Sequence, residues 1–209
     1  MTRVITLRRL LLTSAASLAT IALAAGCGGD GDDPGGMNHG GASSPTAAAT
    51  SNGTFNDADV QFAQMMIPHH QQAVEMATLA ETRAADPEVK QLATQVKAAQ
   101  DPEIKTMTGW LTAWGQSTAA PDGGHDMPGM SSMPGMMLDD DMAKLEAAKG
   151  TEFDRMFAQM MIAHHDGAIQ MAKDEQKNGA NIEAKSLAAT IEKTQTDEVA
   201  KLQGVVDRL

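Results

Sequence analysis

The phrase FAQMMIPHHQQAVEMA at residues 62–77 returns at residues 157–172 as FAQMMIAHHDGAIQMA. At an offset of 95, eleven of the sixteen positions coincide: Phe62/Phe157, Ala63/Ala158, Gln64/Gln159, Met65/Met160, Met66/Met161, Ile67/Ile162, His69/His164, His70/His165, Ala73/Ala168, Met76/Met171 and Ala77/Ala172. A chain that carries one segment twice folds as two related units, and each must bury the apolar face that the segment presents. Four of the six histidines stand in the phrase, as two adjacent pairs behind paired methionines.

The spacing inside the phrase is helical. Positions 62, 66, 69, 73, 76 and 80 form one stripe at intervals of four and three, which predicts a helix from the cap residue Asn56 to just before Asp86-Pro87. A second helix follows from Pro87, its main face traced by Val89, Leu92, Val96, Ala99, Glu103, Met107 and Trp110. Pro102 interrupts that pattern and is expected to kink or locally break it. The second copy reads the same way. Thr151 is expected to begin a helix that ends at Asn178-Gly179, and a last helix runs from Asn181 to the C-terminus. Glu88/Glu183, Leu92/Leu187, Gln100/Gln195 and Glu103/Glu198 also coincide at the same offset. The repeat is therefore a whole helical hairpin, residues 55–114 and 150–209. Two such hairpins can bury each other, which predicts an all-α four-helix bundle with approximate two-fold symmetry. Low aromatic content and abundant Ala, Leu and Met agree with helices.

Residues 1–26 read as a secretory leader: Arg3, Arg8 and Arg9, then an apolar run, then small residues. Cys27, the only cysteine, follows directly and resembles the lipid-acceptor position of a bacterial lipoprotein, with residues 27–54 as a Gly, Asp and Ser-rich tether. The expected location is extracytoplasmic, at the bacterial cell membrane. The formal net charge is −11, with three of the sixteen basic residues in the leader. That balance argues against nucleic acid and makes cations the natural partners. No membrane contact beyond the lipid anchor is expected.

On a helix, residues four apart share a face, so Met65 lies over His69 and Met66 over His70, and Met160/His164 and Met161/His165 repeat this. Met76 and Met171 continue the stripes. Imidazole suits several transition metals, whereas thioether sulfur selects Cu(I). The combination points to copper, with silver admitted by the same softness. The competing reading is packing, since methionine stripes commonly fill cores. Adjacent histidines point about 100° apart, however, so both cannot serve one seam. Pro68 and Gly167 break helical rules beside the pairs. Gly167 leaves room for another backbone or side chain to approach closely, where the first copy has Gln72.

Between the hairpins, residues 115–138 are rich in Gly, Pro, Ser and Met, and a short helix is expected over 139–149. His125, Met127, Met130, Met133, Met136 and Met137 form a second candidate metal-capturing segment. With its Pro-Gly units it should be extended or turning, its methionines exposed on one edge or, alternatively, the segment folded back as an apolar lid. Enzymatic signatures are missing: no Glu-x-x-His, no HExxH, no cysteine in the folded part and no phosphate loop.

The second copy, Gly150-x-x-Phe153-Asp154-x-x-Phe157-x-x-x-Met161-x-x-His164-His165-x-Gly167-Ala168-x-x-Met171-Ala172, resembles the signature of the domain-of-unknown-function 305 family, and residues 55–209 carry the resemblance. It implies a ferritin-like helical bundle in secreted or membrane-tethered bacterial proteins, some of which bind copper and protect against it. It implies no catalysis. The expected function is sequestration, buffering or transfer of Cu(I) or Cu(II), with a copper donor or acceptor protein as partner. The rival expectations are a structural or interaction module and a copper-dependent redox enzyme.

Overall fold

The computed structural model describes residues 53–119 and 133–209. The leader, Cys27, most of the tether, His125, Met127 and Met130 lie outside them. The described residues form five helices and no strand: α1 (Asp57–Arg83), α2 (Pro87–Ala113), α3 (Asp139–Ala147), α4 (Gly150–Asn178) and α5 (Ile182–Arg208). Among them no helix is long and apolar enough to cross a membrane.

Local chemistry sets most boundaries. Asn56 caps α1 by accepting from the amides of Ala58 and Asp59, while Asp59 answers the Asn56 amide at 2.6 Å, a reciprocal capping box. Asp86 caps α2 with Pro87 as its first residue. Asn181 caps α5. Pro68 and Pro102 lie inside α1 and α2, and neither divides its helix. Two boundaries depart from expectation: α3 ends at Ala147 and not at 149, and α4 starts one residue early. Helix α4 begins at Gly150, not Thr151, and Lys149 at its N-cap makes no side-chain cap. Only two residues separate α3 from α4. Gly150, at φ +64°, makes the turn that this short link needs, and few other residues adopt it.

Helix α1 packs with α2 and α4 with α5; the hairpins meet chiefly through α1 and α4 and more lightly through α2 and α5. Two apolar clusters show that α1 and α4 run antiparallel. One joins Phe62, Ala63, Met66 and Ile67 of α1 to Ala168, Met171 and Ala172 of α4, with Met107, Leu111 and Ile191. The other joins Ala73, Met76, Ala77 and Ala80 to Phe153, Phe157, Ala158 and Met161, with Leu92, Val96 and Leu202. Burying each large side chain contributes about 1.5–3 kcal/mol. Helix α3 lies against α1 and α4, and its Leu145 enters the second cluster.

The hairpins also cap each other. Asp59 on α1 accepts from the amides of Ala180 and Asn181, at the turn of the second hairpin. Asp154, at the matching position on α4, accepts from Ala85 and Asp86 at the turn of the first. Both carboxylates are buried. Each hairpin's turn is thus held by the long helix of its partner.

Candidate metal centre

Along α1, His69 and His70 fall between the residues of one apolar cluster and those of the other, and His164 and His165 do the same on α4. Where the antiparallel helices cross at mid-length, all four imidazoles are sealed from solvent at 0% exposure. The His69 and His164 rings lie against each other with centroids 3.7 Å apart and planes tilted by 39°. His165 lies 6.4 Å from His164, ring to ring.

Burial decides their protonation. For His69, desolvation comes first and the charge of His70 second in disfavouring the imidazolium, and its pKa falls to about 3 despite the Pro134 carbonyl. His164 is held well below the ordinary value by burial, then by His69, His165 and His70. Both rings are therefore neutral at pH 7 and carry an available lone pair.

The ring edges are sorted. His69 Nε2 lies 3.0 Å from the Pro134 carbonyl, to which it donates. His70 Nε2 donates to Glu103 Oε2 at 2.8 Å. His165 Nε2 lies 2.8 Å from Glu198 Oε2, a contact whose angle falls short of a hydrogen bond. The Nδ1 atoms of His69, His70, His164 and His165 are all buried without a hydrogen-bond partner, as are the Nε2 atoms of His164 and His165. Burying such an atom unpaired costs about 1–3 kcal/mol, so six together call for an explanation. Among the described residues, no three His, Cys, Asp or Glu side chains converge as a metal-holding group. Ligation would therefore draw on thioether sulfur or on small ring movements.

The methionines divide. Met66 and Met171 belong to one apolar cluster, Met76 and Met161 to the other. Each cluster therefore pairs an early methionine of one copy with a late one of the other. Met65 and Met160 are partly buried at the cluster edges. Met65 also lines a cleft of about 190 Å³ with Phe62, Pro134, Met171, Asp174 and Glu175. Met65 and Met171 therefore share a wall, which single-helix spacing does not reveal.

The end of the Met-rich segment is not exposed. Met133 accepts from the Met136 amide at 3.2 Å around Pro134-Gly135, and Gly135 has φ +79°, the pattern of a type II turn. Of the two expectations, extended or turning, this stretch turns. Met133 is buried, and Met136 and Met137 are partly so. Gln72 holds the strap at both main-chain atoms of Met137, accepting from N–H at 2.7 Å and donating to the carbonyl at 3.0 Å. On the other side, the strap backbone rests on Gly167, where a Cβ would overlap the Pro134 carbonyl. Gln72 and Gly167 occupy the same repeat position, so the strap straddles the two copies beside His69.

Sequence reasoning did not assign roles to Glu103 and Glu198. The signal was available: both are acidic residues on otherwise apolar faces, and they coincide at the repeat offset.

The family model DUF305, a domain of unknown function, matches residues 59–206. A DUF305 protein of Streptomyces coelicolor, given as secreted, is 33% identical with a TM-score of 0.66, over 72% of this chain and 93% of that chain. A DUF305 fragment from Deinococcus radiodurans is 31% identical with a TM-score of 0.66, over 75% of this chain and 100% of that chain. CopM in its Cu(II)-bound form is 33% identical with a TM-score of 0.62, over 72% of this chain and 96% of that chain. CopM has also been solved in Cu(I)-bound, silver-bound and apo forms. No curated protein sequence matches the chain significantly.

Proposed function

The chain belongs to the DUF305 family, and on that premise we propose that it is an extracytoplasmic copper-binding protein that sequesters, buffers or hands on the metal without catalysing a reaction. One observation carries the reading: four buried histidines, neutral where their titration is resolved, present Nδ1 atoms that no protein group satisfies. A bound cation supplies the missing partner. CopM, a relative solved with Cu(I), Cu(II) and silver, supports copper or silver as that cation.

In this reading His69, His70, His164 and His165 supply nitrogen. Met65, Met66, Met160, Met161, Met76 and Met171 supply the soft sulfur that favours Cu(I). The hairpins form a ferritin-like four-helix bundle with α3 as an addition on its side. The leader and Cys27 place the protein outside the cytoplasm on a lipid anchor, and the secreted Streptomyces relative agrees with export. A copper donor or acceptor protein would exchange metal with it.

A structural module is the rival, favoured by one fact: Met66, Met76 and Met161 are fully buried among apolar side chains. A competition titration against a Cu(I) chelator separates the two. The wild type should hold Cu(I), and changing the four histidines to Ala should abolish most of that affinity. Deleting residues 122–137 should have a smaller effect. Wild-type affinity no better than that of a Met-free control protein would return the histidines to the core.

A further inference from the structure

Two carboxylates stand behind two of the histidines. Glu103 comes from α2 and Glu198 from α5, at matching repeat positions. Each places Oε2 2.8 Å from the Nε2 of a fully buried imidazole, His70 and His165 respectively. The glutamates are themselves largely enclosed, with side chains 14% and 7% exposed. Among the described residues neither is paired with a lysine or arginine. The opposite ring nitrogen, Nδ1, is buried and unpartnered in both histidines, but only His70 has its Nε2 hydrogen-bonded, since the His165–Glu198 contact misses hydrogen-bond geometry.

An ionised carboxylate only accepts hydrogen bonds. Nε2 can satisfy it only as N–H, and a neutral imidazole has a single ring proton. The lone pair is then confined to Nδ1, the edge left vacant. A carboxylate behind the imidazole also makes the ring a more basic donor and adds negative charge close to any cation it holds. This arrangement carries the family reading to a specific atom. We infer that Glu103 is a positioning residue that fixes His70 as the Nε2–H tautomer and so makes Nδ1 of His70 the metal-binding nitrogen. The inference rests on the proposed metal binding and goes beyond it in naming the atom and the residue that chooses it. His69 follows the same polarity by a different means, with the Pro134 carbonyl taking its Nε2–H.

Silver ion is a suitable probe, being diamagnetic and fixed in oxidation state. In the full chain labelled with ¹⁵N-histidine, ring ¹H–¹⁵N spectra should show His70 as Nε2–H before metal is added. On titration with silver nitrate its Nδ1 resonance should shift. Glu103→Leu should scramble the His70 tautomer and weaken silver binding about 10–100-fold. Glu103→Gln keeps an acceptor oxygen but loses the charge, so it should hold the tautomer and weaken silver binding less than Glu103→Leu does. Shifts confined to Nε2 would overturn the inference and leave metal binding standing, as would a folded Glu103→Leu protein with unchanged tautomer and affinity. A wild type that takes up no silver overturns both. Should Glu103→Leu fail to fold, the wild-type tautomers and Glu103→Gln decide the matter on their own.

Discussion

The most asymmetric residue in this nearly symmetric molecule is Glu175, whose repeat counterpart is Ala80. It is buried against Asp59, and burial first, then the hydrogen bond and charge of Asp59, raise its pKa to about 8, with Lys185 opposing. Burial also works to raise Asp59, but the amides of Asn181, Asn56 and Ala180, with the Glu175 carboxyl, outweigh it and leave Asp59 below its usual range. The pair therefore shares a proton that the unfolded chain has already released by neutral pH. A raised folded pKa stabilises fully below the ordinary 4.5, and that stability is lost as pH climbs through about 8. His69 works in the opposite sense: its contribution is complete above 6.5 and lost as pH falls toward about 3. Comparison with Glu175→Gln isolates the acidic pair. Urea unfolding from pH 5 to 8.5 should show the wild type losing on the order of 2–3 kcal/mol relative to the variant. Parallel curves would mean that Glu175 is ionised throughout.

At the scale of elements, the strap over residues 133–137 joins the two copies where their sequences part. Gln72 and Gly167 stood out as a departure within the repeat, and Gly167 as a place for close approach; both hold. That the visitor would be Pro134-Gly135 could not be read, because a strap docks through main-chain atoms that are alike in every residue. The four long helices were legible from 3.6-residue periodicity, from Asn56 as a cap and from the Asp86-Pro87 break. The start of α4 was not, since Gly150 works through its φ and not through a side-chain cap. Gln72→Ala removes two hydrogen bonds to Met137, worth about 1–3 kcal/mol together. It should speed hydrogen exchange at the Met137 amide while the amides of α1 keep their protection. Gly167→Ala should have the same effect by pushing the Pro134 carbonyl aside. If Met137 exchanges at the wild-type rate in both variants, the strap is held by something else.

For the whole molecule, the repeat predicted two hairpins burying each other, and the histidine pairs as the centre of each. The meeting of the His69 and His164 rings depends on where α1 and α4 cross, a tertiary quantity that periodicity within one helix does not contain. The reciprocal caps were half legible. Asp59 stands three residues after Asn56, a spacing that fits its part in its own helix start, but its second role belongs to the other hairpin. Asp154→Ala strands the Ala85 and Asp86 amides and should cost about 1–3 kcal/mol at any pH from 5 to 8.5. Asp59→Ala strands three amides, Asn56, Ala180 and Asn181, so at pH 5 it should cost more. It also removes the partner that raises Glu175. The variant then no longer suffers the full loss that the wild type undergoes toward pH 8, so its deficit should shrink as pH rises. Chemical denaturation of both variants against wild type at pH 5 and 8.5 tests this directly. A constant deficit for Asp59→Ala would separate the cap from the proton-sharing pair. A shrinking one would show a single carboxylate tying helix start, opposite hairpin and buried acid into one cooperative unit.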